Sequence, residues 1–198
     1  SVMIKTIKYS KNVDLEKKLA RSQFSYDDVN ETVESILKDV RARGNKALIE
    51  YTEKFDGVKL ENLEVTEEEI KKAFDTIDKE LLEVIQYSHD NIKKFHEKQV
   101  RNDFLIRQEN GVVLGQVINP IEKVGLYVPG GTAAYPSTVL MNAVPAKIAG
   151  CKEIVMVTPP TKDGSILPSL LVAAKISGVD RIFKVGGAQS IAALSYGT

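Results

Sequence analysis

Tryptophan is absent, cysteine occurs once, histidine occurs twice, and neither sign of charge prevails. Each shortage excludes a class of chemistry. A single cysteine, Cys151, forms no disulfide within the chain, which fits a reducing, cytoplasmic setting. His89 and His96 stand seven apart in a stretch that reads as helix. Two turns hold them roughly 10 Å apart along the axis. They cannot share one zinc ion, whose ligands lie about 2 Å from the metal. Ser-His-Asp catalysis lacks a suitable histidine, and GxSxG is missing. Lys plus Arg and Asp plus Glu balance at 27 each, so net charge leaves no footprint for nucleic acid or an acidic membrane. No apolar run is long enough to cross a bilayer as a helix, and the first residues lack a secretory pattern.

What is there is an ordinary globular mix, 43% hydrophobic and 27% charged over 198 residues, enough for one large domain or two small ones. The first hundred or so residues read as mainly helical. Ser25 is a candidate N-cap with Asp28 three residues on, and Val29, Val33, Ile36, Leu37 and Val40 share one helical face. Gly44 ends that helix, and Asn45 to Phe55 reads as a second. Asp56-Gly57 is a turn, and Leu60 to Val65 reads as a short strand. Thr66 and Glu69 have capping-box spacing. From Ile70 to Phe95 the apolar positions keep helical spacing. Phe104 to Gln108 and Val112 to Val117 then flank Asn110-Gly111, the dipeptide that a type I′ hairpin turn prefers. Asn119-Pro120 marks a boundary. Residues 1–119 form a helical region with a hairpin, and 120–198 form a second region rich in Gly, Ala, Val and Ile.

The second region repeats strand then helix three times. Val124–Val128, Ile154–Val157 and Ile182–Val185 read as strands, spaced like successive βαβ units. The expected fold class is therefore α/β, with a Rossmann-like parallel βαβαβα unit that is incomplete. Pro145 lies inside the helix expected over 136–149 and predicts a kink or an early break. A sheet of three strands predicts open edges, and with them self-association or a partner contact.

Ligands in open α/β sheets bind at the carboxyl ends of the strands. Cys151 precedes the second strand, at the opposite end, and reads as structural. Tyr127 ends the first strand, and Pro129-Gly130-Gly131 follows it, where glycine lets backbone approach a ligand closely. Gln189 opens the helix after the third strand. A strand order of 2-1-3 would bring Tyr127 and Gln189 to one crevice. There a tyrosine can stack on a flat ring and a glutamine can read its polar edge. On the residues alone, a core tyrosine, a polar helix start and a plain connecting turn remain open alternatives. PGGTAAYPS matches no standard phosphate-binding fingerprint.

VGLYVPGGTAAYPSTVLMNAVPAKIAGCKEIVMVTPP and FKVGGAQSIAALSYGT resemble histidinol dehydrogenase, in long continuous strings. That resemblance implies a cytoplasmic, zinc-containing homodimer of histidine biosynthesis. It implies oxidation of L-histidinol to L-histidinaldehyde and then L-histidine, with reduction of two NAD⁺. The family's NAD-contacting tyrosine and glutamine match Tyr127 in GLYVPGG and Gln189 in GGAQ, with Pro129 and Gly130 beside the cofactor. The family's zinc ligands (a glutamine, two histidines and an aspartate) and its catalytic Glu-His pair match nothing here. The resemblance therefore covers roughly the N-terminal half of such an enzyme, and predicts that this stretch alone neither holds zinc nor turns over histidinol. A non-catalytic nucleotide-binding module or a structural, dimerising fragment also fits the residue pattern.

Overall fold

The computed structural model describes residues 27–130 and 135–198. The chain divides into two compact units, Ser1–Ser35 and Ile36–Thr198. Of the first, the described part is the opening of helix α1 (Asp27–Arg43), and the Ser25 cap expected for it lies outside the described residues. Everything below concerns the second unit.

Helix α2 (Asn45–Asp56) stops at Gly57 in the left-handed region. Helix α3 (Glu67–Thr76) starts with the expected capping box. The Thr66 hydroxyl accepts from the Glu69 N–H at 3.2 Å, and the Glu69 carboxylate accepts from the Thr66 N–H at 2.9 Å. The helical pattern from Ile70 to Phe95 breaks once. Ile77 is extended and Asp78 caps a new helix, α4 (Lys79–His96), by accepting from the Leu81 N–H. An aspartate before a helix offers a backbone donor a partner that helix interior cannot, which is why the break falls there.

Strands β1 (Phe104–Arg107) and β2 (Val113–Gln116) form the expected hairpin. Its turn is not type I′. Gln108 N–H donates to the Val112 carbonyl and Gly111 N–H to the Gln108 carbonyl, so the loop has three residues, Glu109 to Gly111. Gly111 takes a positive φ of 86° and Asn110 does not, which is the type I turn plus left-handed glycine of three-residue hairpins. Every residue of both strands is exposed.

Strands β3 (Lys123–Tyr127), β4 (Glu153–Thr158) and β5 (Arg181–Lys184) form a parallel sheet in the order β3-β4-β5. The sheet is the α/β core expected, but its order is 1-2-3 rather than 2-1-3. Helices α5 (Pro136–Ala149) and α6 (Pro168–Ile176) make the two crossovers. Alternate strand residues face opposite ways. Leu126, Ile154, Met156 and Ile182 are buried in one cluster with Val139, Leu140 and Ala143 of α5 and Leu170 to Ala174 of α6. Helices α3 and α4 pack over those two. Val157 and Val185 face the other way, into a cluster with Val40, Leu48 and Ala192. Ala192 belongs to α7 (Gly187–Tyr196), the helix on that second face, which packs against α2 and β3. Its Leu194 lies so close over Gly125 that a Cβ there would meet Leu194 Cδ1 at 2.6 Å.

The early break that Pro145 allows does not occur, since helix α5 runs through it to Ala149. The carbonyl that proline leaves unbonded belongs to Met141, an exposed residue, where water can serve it. The free edge of β5 is also covered rather than open. The Lys184 N–H donates to the Leu63 carbonyl at 2.7 Å and the Val65 N–H to the Ile182 carbonyl at 2.9 Å. The strand expected over Leu60 to Val65 reduces to this single bridge, Glu64 opposite Phe183.

Candidate cofactor site at the carboxyl end of the sheet

The carboxyl ends of the three strands carry Tyr127 with Pro129-Gly130, then Thr158-Pro159, then Gly186-Gly187 with Gln189. Tyr127 lies on the β3 face that α7 covers, since it alternates with the buried Leu126 and follows Gly125 by two residues. Its ring is 38% exposed. Its hydroxyl accepts a hydrogen bond from the Gly187 N–H at 3.2 Å. The strand order found does not prevent this meeting. Helix α7 starts after β5 and runs back over the sheet to β3, so its first N–H comes within reach of the tyrosine.

Helix α7 begins without a capping side chain. Gly186 is extended and Gly187 is left-handed, with φ of 63°. The Ser190 hydroxyl donates to the Gly187 carbonyl at 2.8 Å, which ties the turn to the first helical residues. Gln189 does not project outward as a polar helix start would. It is 1% exposed, and its Oε1 has no hydrogen-bond partner among the described residues. Its amide lies against the Gly187 backbone, where an added Cβ would meet Oε1 at 2.5 Å. A buried amide oxygen left without a donor is costly unless something else supplies one. The Thr158 hydroxyl, at the end of β4, is likewise fully buried without a partner. This edge thus carries glycines, prolines, one tyrosine and two unsatisfied oxygens, beside a Lys184 that is paired to Glu69. The uncapped N-terminus of α7 adds a positive end of a helix dipole, suited to an anionic group.

These features fit a dinucleotide. It offers flat rings for a tyrosine, amide and hydroxyl donors for the Gln189 oxygen, and a pyrophosphate for a helix start. Pro129 and Gly130 are both exposed on the β3 side of the same edge. Thr158 was not singled out from the sequence, although the rule that ligands meet the carboxyl ends of strands covers it as well as Tyr127.

Zinc does not fit this stretch. No three His, Cys, Asp or Glu side chains gather around a possible ion among the described residues. His89 bonds to Asp90 at 2.8 Å and His96 to Gln99 at 2.6 Å, both on the helix surface. Cys151 is buried just before β4, at the amino end, as a structural residue there would be.

A cleft of about 450 Å³ lies at the opposite end of the sheet. Lys123, Glu153 and Arg181 each open a strand and line it, with Glu64 beside them. The charges already answer one another. Lys123 pairs with Glu153 at 2.8 Å, and Arg181 makes two bonds to Glu64 at 2.8 and 2.9 Å. The Arg181 bond holds the Glu64 carboxyl below its ordinary range. The charges that open the strands are thus taken up by one another, which makes this cleft the weaker candidate. Among the described residues no helix is long and apolar enough to cross a membrane.

Comparison with known proteins identifies the family. A model of the histidinol dehydrogenase family matches residues 19–198. Over 171 residues the chain is 54% identical to histidinol dehydrogenase of Clostridium acetobutylicum, covering 86% of this chain and 40% of that protein. It is 49% identical over 198 residues to the histidinol dehydrogenase of Methanocaldococcus jannaschii, covering 100% of this chain and 46% of that protein. The crystal structure of histidinol dehydrogenase from Elizabethkingia anophelis is similar with a TM-score of 0.84 at 37% identity, over 94% of this chain and 43% of that one. The chain thus spans less than half the length of these relatives.

Proposed function

Because the chain belongs to the histidinol dehydrogenase family, we propose that it forms the NAD-side wall of an enzyme that oxidises L-histidinol to L-histidine by way of L-histidinaldehyde. The setting would be histidine biosynthesis, in a cytoplasmic homodimer whose zinc is held by residues other than those described here. The observation that carries the cofactor part is the buried, unsatisfied Gln189 oxygen behind the Tyr127–Gly187 contact.

NAD, when bound, supplies the hydride acceptor. The chain's own work is to hold and orient it. Tyr127 offers a half-exposed ring at the strand end. Gln189 holds an unpaired carbonyl oxygen behind the Gly187 turn, and it meets a donor on the cofactor when its side chain turns toward the edge. Gly130, beside Pro129, presents backbone without side-chain bulk. The Tyr127 hydroxyl occupies the first N–H of α7, and that N–H becomes free for an anionic group if the hydroxyl turns away.

NAD titration of alanine variants in a full-length enzyme carrying this sequence tests the reading. Gln189→Ala and Tyr127→Ala should each weaken NAD binding about tenfold, the loss of one good contact. Tyr127→Phe should be milder, since its hydroxyl bonds to the protein. Metal content should not change. Parental NAD affinity in both alanine variants would remove Tyr127 and Gln189 from the site.

A further inference from the structure

Pro159 follows β4, the central strand, and stands between the two glycine turns of the candidate site. Gly130 lies beyond β3 on one side, and Gly186 beyond β5 on the other. Both turns touch the same pyrrolidine ring. A Cβ added to Gly130 would meet Pro159 Cγ at 2.4 Å and Cδ at 3.0 Å. A Cβ added to Gly186 would meet Pro159 Cβ at 2.8 Å and Cδ and Cγ at 3.1 Å. Strands two places apart in a sheet are separated by roughly 10 Å. That gap is bridged here by one rigid ring, gripped on both sides by bare backbone.

A proline suits this place for physical reasons. Its ring has no rotamers to lose and fixes φ, so its width is constant. It brings no N–H that would compete with a ligand for acceptors. Both neighbours are glycines, so backbone rather than flexible side chain sets the contact. We propose that Pro159 is a positioning residue for the cofactor. Its ring is the spacer that sets the gap between the Gly130 and Gly186 turns, and so the reach from Tyr127 to the start of α7. This rests on the NAD reading above.

The geometry makes an asymmetric test possible. In a full-length enzyme carrying this sequence, Pro159→Ala should raise both the NAD dissociation constant and the KM for NAD about tenfold. The KM for histidinol should stay within twofold. Gly130→Ala should also weaken NAD binding, and adding Pro159→Ala should restore part of it, because the obstructing Cγ and Cδ are gone. Gly186→Ala should not be rescued by Pro159→Ala, because the nearest obstructing atom is the Cβ that alanine keeps. A general loss of stability would move all the kinetic constants together and show no such asymmetry. If Pro159→Ala does not fold, Gly130→Ala carries the test alone, and unchanged NAD affinity in it overturns the proposal. Pro159→Ala within twofold of the parent, or equal rescue of both glycine variants, also overturns it. A parent that binds no NAD overturns the cofactor reading and the spacer with it. A parent that binds NAD while Pro159→Ala matches it removes the spacer alone.

Discussion

The two ends of one small sheet are built on opposite plans. At the amino end each strand opens with a charge, in the order Lys123, Glu153, Arg181, and Glu64 closes the row from the covering segment. Every one of these charges has a partner. At the carboxyl end glycine, proline and a tyrosine predominate, and the one charge that ends a strand, Lys184 of β5, is tied to Glu69. There the buried polar groups, Thr158 and Gln189, have no partner among the described residues. Satisfied ion pairs fasten an edge and leave nothing to offer. Unsatisfied groups on a rigid edge cost stability and keep a capacity to bind. The difference explains why the end with the cleft is the less suitable site.

The largest effect that would break this contrast is expected at Gly187. Its φ of 63° is unfavourable for any side chain, and a Cβ there would displace the Gln189 amide. Gly187→Ala should cost about 1–2 kcal/mol of stability from the backbone alone. It should also weaken NAD binding by more than tenfold, because Gln189 would leave its place. Thermal unfolding and NAD titration read the two effects separately. Unchanged values in both would show that the turn before α7 is not set by Gly187.

Much of this contrast was legible in the sequence and some was not, for reasons of range. The strands of the sheet were found from short apolar runs, and the Thr66–Glu69 box from spacing alone, because both are local. The hairpin turn was misread because Asn110-Gly111 signals a two-residue loop, while the pairing of Gln108 with Val112 adds Glu109 to it. The break at Asp78 was hidden because Ile77 and Leu81 keep helical spacing across it. Strand order, the cover over β5 and the Pro159 clamp all depend on residues far apart in sequence. The burial of Gln189 could not be read either. A glutamine at a helix start is ordinarily solvated, and only the turn at Gly187 folds its amide inward. The charge row, by contrast, is local: Lys123, Glu153 and Arg181 alternate in sign at successive strand starts.

At the amino end the expected effects are smaller. The Arg181–Glu64 pair is bidentate but about half exposed, so solvent screens it. Arg181→Ala should cost about 0.5–1 kcal/mol. Part of that loss is packing, since the guanidinium also lies 4.8 Å over the Phe183 ring. NAD affinity should not change, because the pair sits at the far end of the strands. Denaturant unfolding with a parallel NAD titration checks both statements. A loss of NAD affinity there would mean that the two ends are coupled.

The smallest effect is a pH response in the loop after β4. Asp163 is the one carboxylate there whose own loop satisfies it. The Thr161 hydroxyl donates to it, the Ser165 hydroxyl donates at 2.7 Å, and the Ser165 N–H at 3.1 Å. These bonds, that of Thr161 foremost, lower its pKa from the ordinary 3.8 to about 2. A depressed carboxylate pKa favours the folded loop wherever the group is ionised in both states. The contribution is therefore complete above about pH 4, and is lost as the pH falls through about 2. The carboxyl carbon of Asp163, followed by NMR, should titrate near 2 in the parent and higher in Thr161→Val. At neutral pH neither stability nor NAD affinity should respond to pH through this group. An Asp163 that titrates at the ordinary value in the folded chain would mean that these bonds do not hold the loop.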